Sequence, residues 1–375
     1  MEHQAATPKF SLVQVFRGIA AMLVVMYHLI ANSTNHLGYV TYHNFFNFGF
    51  IGVDFFFVLS GFIITYIHFP DLMERKKNSI VRFFKKRILR IYPIYWVAAI
   101  VSVFIYYKIT PVSMEEAHLK MDFTSPRILK FLAESFLLID HDKKLRLVGV
   151  SWTLSYEMLF YIIFGIGIAI KFKYARIIAA IWLITIITLS FITPSSSDFI
   201  RFAFNVIIIE FLIGCVVAYI IRRKIVISNK ILLPVLAITF ILLLKTIHIK
   251  GLVFDRDIYN VLPLSLFFAI ITYMAVRFDQ KNSSFKFPAI LILIGDASYS
   301  IYLFHNIFLS GFTRMYAKAN HNFLSADYLP LVCTLFFFIT IFLGVLIHLF
   351  IEKNILKYLN NLFFNKKNQI APQTL

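Results

Sequence analysis

Ten apolar runs follow one another along the chain, each close to the roughly 20 residues that a helix needs to cross a bilayer. They lie near 11–32, 48–69, 91–108, 151–170, 175–193, 203–221, 231–248, 258–276, 288–310 and 328–351. Lipid offers the backbone no hydrogen-bond partners, so runs of this length fold as helices. The fold class this predicts is an all-α, polytopic membrane protein with about ten transmembrane helices. Composition agrees: 59% of the residues are hydrophobic and 15% charged, where a soluble domain carries about 25% charged residues.

A formal net charge of +18 would suit a nucleic-acid partner. Here, however, Lys and Arg cluster in the short segments between apolar runs, the pattern of cytoplasmic loops, so no nucleic acid is expected. With the N-terminus inside, the inner segments hold 23 Lys and Arg and the outer ones 13, Arg17 being set aside within the first run. An even number of spans puts both termini in the cytoplasm. The N-terminus shows no small-residue cleavage site, so the first run is expected to stay as a span. Residues 1–355 read as one membrane domain and 356–375 as a short cytoplasmic tail. Cys215 and Cys333 both fall inside apolar runs, which supports neither a disulfide framework nor a metal site. The longest connection, 108–149, contains a stretch, 127–139, with helical periodicity but too short to span; it reads as an interfacial or re-entrant helix.

Ionisable residues inside spans are costly and invite a functional reading. On the predicted boundaries His28, Asp54, Glu157 and His305 share a layer roughly 6–9 Å beneath the outer surface. The plainer reading is that each is satisfied separately at the interface or snorkels to it. Arg17 and His28 open and close the stretch FRGIAAMLVVMYH. On one helix they lie about 20° apart in azimuth and roughly 16 Å apart along the axis. Arg87 and Arg90 lead into the third run, three residues apart. Near a helix N-terminus they would suit a phosphate-bearing ligand, or equally ordinary anchoring to lipid headgroups. Ser298, Tyr302 and His305 fall within about 60° on one face of the ninth run. They can line a polar cavity, or cross-bond neighbouring helices. Glu157 and Tyr161 are neighbours at i, i+4, and Trp152 sits where tryptophan commonly anchors a span to the interface.

Five stretches in order resemble the bacterial membrane acyltransferase family known as acyltransferase 3. They are Arg17 with His28, Gly52 to Phe62, Arg87 to Trp96, Ser151 to Tyr161, and Ser298 to His305, and together they cover nearly the whole chain. The resemblance implies transfer of an acyl group, most commonly acetyl, from cytoplasmic acyl-CoA to a sugar hydroxyl of an envelope glycan. The acceptor would be O-antigen, exopolysaccharide or a lipid-linked precursor, reached from within the bacterial cytoplasmic membrane. Acetyl-CoA is then a co-substrate, and no cofactor is permanently bound. On this reading Arg17, Arg87 and Arg90 hold the CoA phosphates. His28 is general base or acyl carrier, with Asp54 or Glu157 orienting its imidazole. Trp152, Tyr161, Tyr302 and His305 line the substrate pocket. Relatives often end the last span with Glu-x-Pro; Glu352-Lys353-Asn354 lacks the proline, and Glu352 is left out of the predicted site. Many relatives also carry a fused periplasmic domain; with the last run near the C-terminus, any periplasmic helper is expected to be a separate protein. The competing class is a proton-coupled transporter or flippase for a glycan or small solute. Buried ionisable groups suit that class too, but no paired halves with matching broken segments stand out.

Overall fold

The computed structural model describes residues 10–74, 78–108, 123–139, 146–192, 197–250, 256–319 and 326–364, the side chains of 106–108, 246–250 and 326 excepted. All regular structure among them is helical. In chain order the helices are α1 (Ser11–Leu37), α2 (Ile51–Glu74), α3 (Ser79–Lys108), α4 (Pro126–Phe136), α5 (Ser151–Ala169), α6 (Phe172–Ser190) and α7 (Asp198–Ala203). There follow α8 (Ile208–Arg222), α9 (Asn229–Lys250), α10 (Ile258–Lys281), α11 (Ala289–Asp296), α12 (Ser298–Ala319), α13 (Leu329–Ile347) and α14 (Lys353–Phe363).

Among the described residues eight helical segments are long and apolar enough to cross a membrane, or nine if one bent pair counts as a span. The expected run at 231–248 is also helical, as α9, with side chains described to residue 245. The molecule is an all-α, multi-pass membrane protein. Large aliphatic and aromatic residues face outward on its outer helices, as lipid requires: Ile181, Ile184, Leu233, Ile241, Phe338 and Phe342 are all exposed.

Two expectations need correcting. The run at 288–310 is not one straight helix: α11 and α12 meet at Ala297 and diverge by 70°. The cause is a close crossing with α1. A Cβ at Gly295 would stand 2.1 Å from the Gln14 carbonyl oxygen, so α11 lies backbone to backbone on α1 and cannot continue in line. Asp296 at the break accepts a hydrogen bond from Gln14 Nε2 at 2.8 Å. The third helix, in turn, begins at Ser79 and not near 91. Arg87 and Arg90 therefore lie more than two turns inside α3, whose N–H groups there are used within the helix. The anion-binding argument from a helix N-terminus does not apply to them.

The stretch 127–139 does form a short helix, α4. Three aromatic side chains of α3 close its end: Tyr95 Oη donates to the Ser135 carbonyl at 2.5 Å, Trp96 Nε1 to Phe136 and Tyr92 Oη to Leu137, both at 3.0 Å. Carbonyls that a helix end leaves unpaired thereby find donors. α1 ends at Gly38, whose φ of 62° is the left-handed conformation that favours glycine and turns its N–H back to the Ser33 carbonyl.

Candidate functional site

α1 carries both ends of the site. Arg17 is buried, its Nη1 donating to Gln14 Oε1 at 2.9 Å one turn earlier. Gln14 is itself held by Asp296, so the break between α11 and α12 helps to fix the arginine. Arg17 lies within electrostatic range of Arg90, Asp296, Glu352 and Glu157.

Around it sits a polar network that joins α3, α5, α12 and the end of α13. Arg90 Nη1 donates to Glu352 Oε1 at 2.8 Å, and its guanidinium lies 5.5 Å from the Tyr299 ring centre. Ser300 Oγ donates to Glu352 Oε2 at 2.7 Å, and His348 Nδ1 bonds the same oxygen at 2.8 Å. The Glu352 carboxylate is fully buried. It reaches this place through a π-helical turn, His348–Glu352, which inserts one residue into the helical repeat between α13 and α14. Glu352 was left out of the predicted site on the missing proline; the structure puts it at the network's centre. Glu157 also belongs on this side: its Oε1 accepts from Tyr161 Oη at 2.5 Å and from Ser60 Oγ at 3.2 Å. Arg87 differs from Arg90. It lies 5.9 Å from both the Phe83 and Tyr161 ring centres, and its buried Nε has no hydrogen-bond partner among the described residues.

Three turns along α1, His28 meets His305 of α12, the ring centres 4.7 Å apart at 69°. Each ring is fixed by its own helix. Nδ1 of His28 contacts the Val24 carbonyl at 3.0 Å, and Nδ1 of His305 the Tyr302 carbonyl at 2.5 Å. A carbonyl only accepts, so both Nδ1 atoms carry a proton, and in the neutral ring the lone pair is on Nε2. His305 is fully buried and its Nε2 has no hydrogen-bond partner among the described residues. One turn further along α1, Asn32 Nδ2 donates to Asn306 Oδ1 at 2.9 Å and holds the two helices in register. Tyr302 packs against His305 at 5.8 Å and shares a hydrogen bond of 3.0 Å with Thr153 Oγ1, which ties α12 to the start of α5.

The structure thus brings His28, His305 and Tyr302 together, and Arg17, Arg87, Arg90, Glu157 and Tyr161 together. It does not place Asp54 or Glu157 on the His28 imidazole; the backbone orients that ring. Asp54 is fully buried and faces Arg256 and Glu210. Trp152, expected as an interface anchor, lies beneath the Arg256 guanidinium at 4.9 Å and packs on Phe57. Glu210, Arg256, His348 and Glu352 were all missed. A lone acid inside the run at 203–221 is the signal that would have flagged Glu210; nothing local marks Arg256.

Fold and side chains together define a multi-pass membrane protein with an arginine-containing polar network and an imidazole pair joined by one helix. A family model described as an acyltransferase domain matches residues 12–352. The chain belongs to the acyltransferase 3 family. It is 26% identical over 317 residues to O-acetyltransferase OatA of Staphylococcus aureus (strain NCTC 8325 / PS 47), a match covering 77% of this chain and 49% of that protein. It is likewise 26% identical over 283 residues to exopolysaccharide production protein ExoZ of Rhizobium meliloti (strain 1021), covering 73% of this chain and 81% of the relative. The chain spans about half the length of the OatA proteins it matches. No solved structure matches it.

Proposed function

We propose that this protein is an integral membrane O-acyltransferase of the bacterial cytoplasmic membrane, with both termini in the cytoplasm. It moves an acetyl group from cytoplasmic acetyl-CoA to a hydroxyl of an envelope polysaccharide or its lipid-linked precursor. Family membership supports the reaction class, and the names of the two relatives support acetyl as the group and polysaccharide as the acceptor.

The observation that carries the reading is α1 itself. Arg17 at one end sits in a charged network with Arg90, Glu352 and Glu157, and His28, roughly 16 Å away along the same helix, makes no hydrogen bond through Nε2 among the described residues. Arg87, which makes no ion pair among the described residues, binds the CoA phosphates first, with Arg17 beside it. Arg90, paired with Glu352, steadies the pocket wall, and the thioester arm runs along α1 to His28. There the acceptor oxygen attacks the thioester carbon as Nε2 takes the hydroxyl proton. The C–S bond breaks, and the thiolate leaves and is protonated. A second route uses the same lone pair. Nε2 bonds the acyl carbon and expels the thiolate, and the acceptor oxygen then displaces the imidazole, its proton passing to Nε2 of His305. His28→Ala should leave membrane insertion intact and lower acetyl-CoA-dependent glycan acetylation by about 10²–10⁴-fold, the usual weight of a general base. Activity near that of the unaltered protein overturns the assignment.

A further inference from the structure

α2 and α8 touch backbone to backbone. A Cβ at Gly61 would stand 2.0 Å from the Phe211 carbonyl oxygen, and one at Gly214 2.0 Å from that of Val58. This approach brings Asp54 of α2 and Glu210 of α8 within hydrogen-bonding distance of each other, both 0% exposed. The cation facing them is Arg256, just before α10. Its Nη1 is 3.4 Å from Asp54 Oδ1 and its Nη2 3.5 Å from Oδ2, and it also covers the Trp152 ring. Tyr302 of α12 lies within electrostatic range of Arg256 and Asp54.

Two ionised carboxylates bring acceptors only and repel each other where no water screens them. Asp54 Oδ1 and both Glu210 oxygens have no hydrogen-bond donor among the described residues. Among the described residues Arg256 is the cation against the pair; one guanidinium balances one negative charge, and the second would stand uncompensated in the membrane interior. A single proton removes both difficulties. It turns the carboxyl–carboxylate contact into an O–H···O hydrogen bond and leaves one carboxylate for one guanidinium.

We propose that Asp54 and Glu210 hold one proton between them, and that Glu210 is a positioning residue. Its carboxyl O–H donates to Asp54, Asp54 keeps the charge that anchors Arg256, and Arg256 is thereby held flat on Trp152. Trp152 adjoins Thr153, whose hydroxyl meets Tyr302 beside His305, so the cluster braces the wall next to the imidazole pair. The consequence for activity rests on the acyltransferase reading; the shared proton does not.

Infrared difference spectroscopy of the purified full-length protein in lipid nanodiscs tests the proton directly. The unaltered protein minus Glu210→Gln should show a protonated-carboxyl band that shifts in D₂O, and the unaltered protein minus Asp54→Asn should show it too. In each variant the remaining carboxyl ionises against Arg256. Difference spectra without that band overturn the proposal, whatever the activity. In the second arm, Glu210→Gln retains an N–H donor to Asp54 and should keep acetyl transfer within about threefold. Glu210→Ala should lose more than about tenfold with the KM for acetyl-CoA unchanged, the weight of a hydrogen bond to a charged group. A Gln variant as slow as the Ala variant means that Glu210 works ionised, and the proposal fails. If the unaltered protein transfers no acetyl group, the acyltransferase reading falls and the infrared bands alone decide the shared proton.

Discussion

The two ends of α1 carry polar groups in opposite conditions. At the Arg17 end the side chains are largely saturated. Glu352 accepts from Arg90, Ser300 and His348, Glu157 from Tyr161 and Ser60, and Arg17 donates to Gln14. At the His28 end the rings are held by backbone carbonyls, and neither Nε2 makes a hydrogen bond among the described residues. A saturated buried network holds geometry, because every change leaves a partner stranded. A lone pair kept free at an oriented ring is what proton or acyl transfer needs. Arg87 is the exception at the first end, its buried Nε having no hydrogen-bond partner among the described residues.

The contrast breaks most sharply at Glu352. Glu352→Ala strands Arg90 and His348, and thermal unfolding in detergent should show a loss of about 3–5 kcal/mol, the cost of removing one partner from a buried pair. An unchanged melting temperature would mean that the network does not hold the bundle together. At the other end His305→Phe keeps a ring against His28 but removes the lone pair. Glycan acetylation should fall about 10²-fold while stability holds. If activity survives, His305 serves by shape alone. The smallest effect belongs to Arg87→Ala: the KM for acetyl-CoA should rise about tenfold, with kcat little changed, as for one lost charged hydrogen bond. An unchanged KM removes Arg87 from the donor pocket.

Much of this was legible before any fold was known. The pairing of Arg17 with His28 needs only a helix, and both lie on α1. The clustering of Arg87 with Arg90, and of Tyr302 with His305, follows from spacing in the same way. The assignment of carboxylates did not follow. Residue counts put Asp54 and Glu157 in the layer of His28, yet neither reaches it: Asp54 faces Arg256, and Glu157 joins the network at the Arg17 end of α1. Counting residues along a run gives neither the tilt of a helix nor the direction in which a side chain faces, both of which depend on how the helix is turned against its neighbours. Glu352 shows the same limit. Its partner Arg90 is 262 positions away, and the π-helical turn that delivers it has no signature in the hydrophobic pattern.

By itself, then, the sequence determined that the chain is all-helical and crosses the membrane many times, and it fixed the two ends of α1; its ten runs compare with eight qualifying segments among the described residues, or nine with the bent pair. In lipid each backbone must satisfy its own hydrogen bonds, so an apolar run of sufficient length is already a helix. Only the tertiary structure decided that Glu352 belongs with Arg90, that Glu210 belongs with Asp54, and that the backbone orients His28. The approach of Glu210 to Asp54 rests on the close crossing at Gly61 and Gly214, and Glu352 meets Arg90 across 262 positions. Both are contacts between distant parts of the chain, set by packing; the His28–Val24 contact is local to α1, and what packing decided there is that no carboxylate reaches the ring.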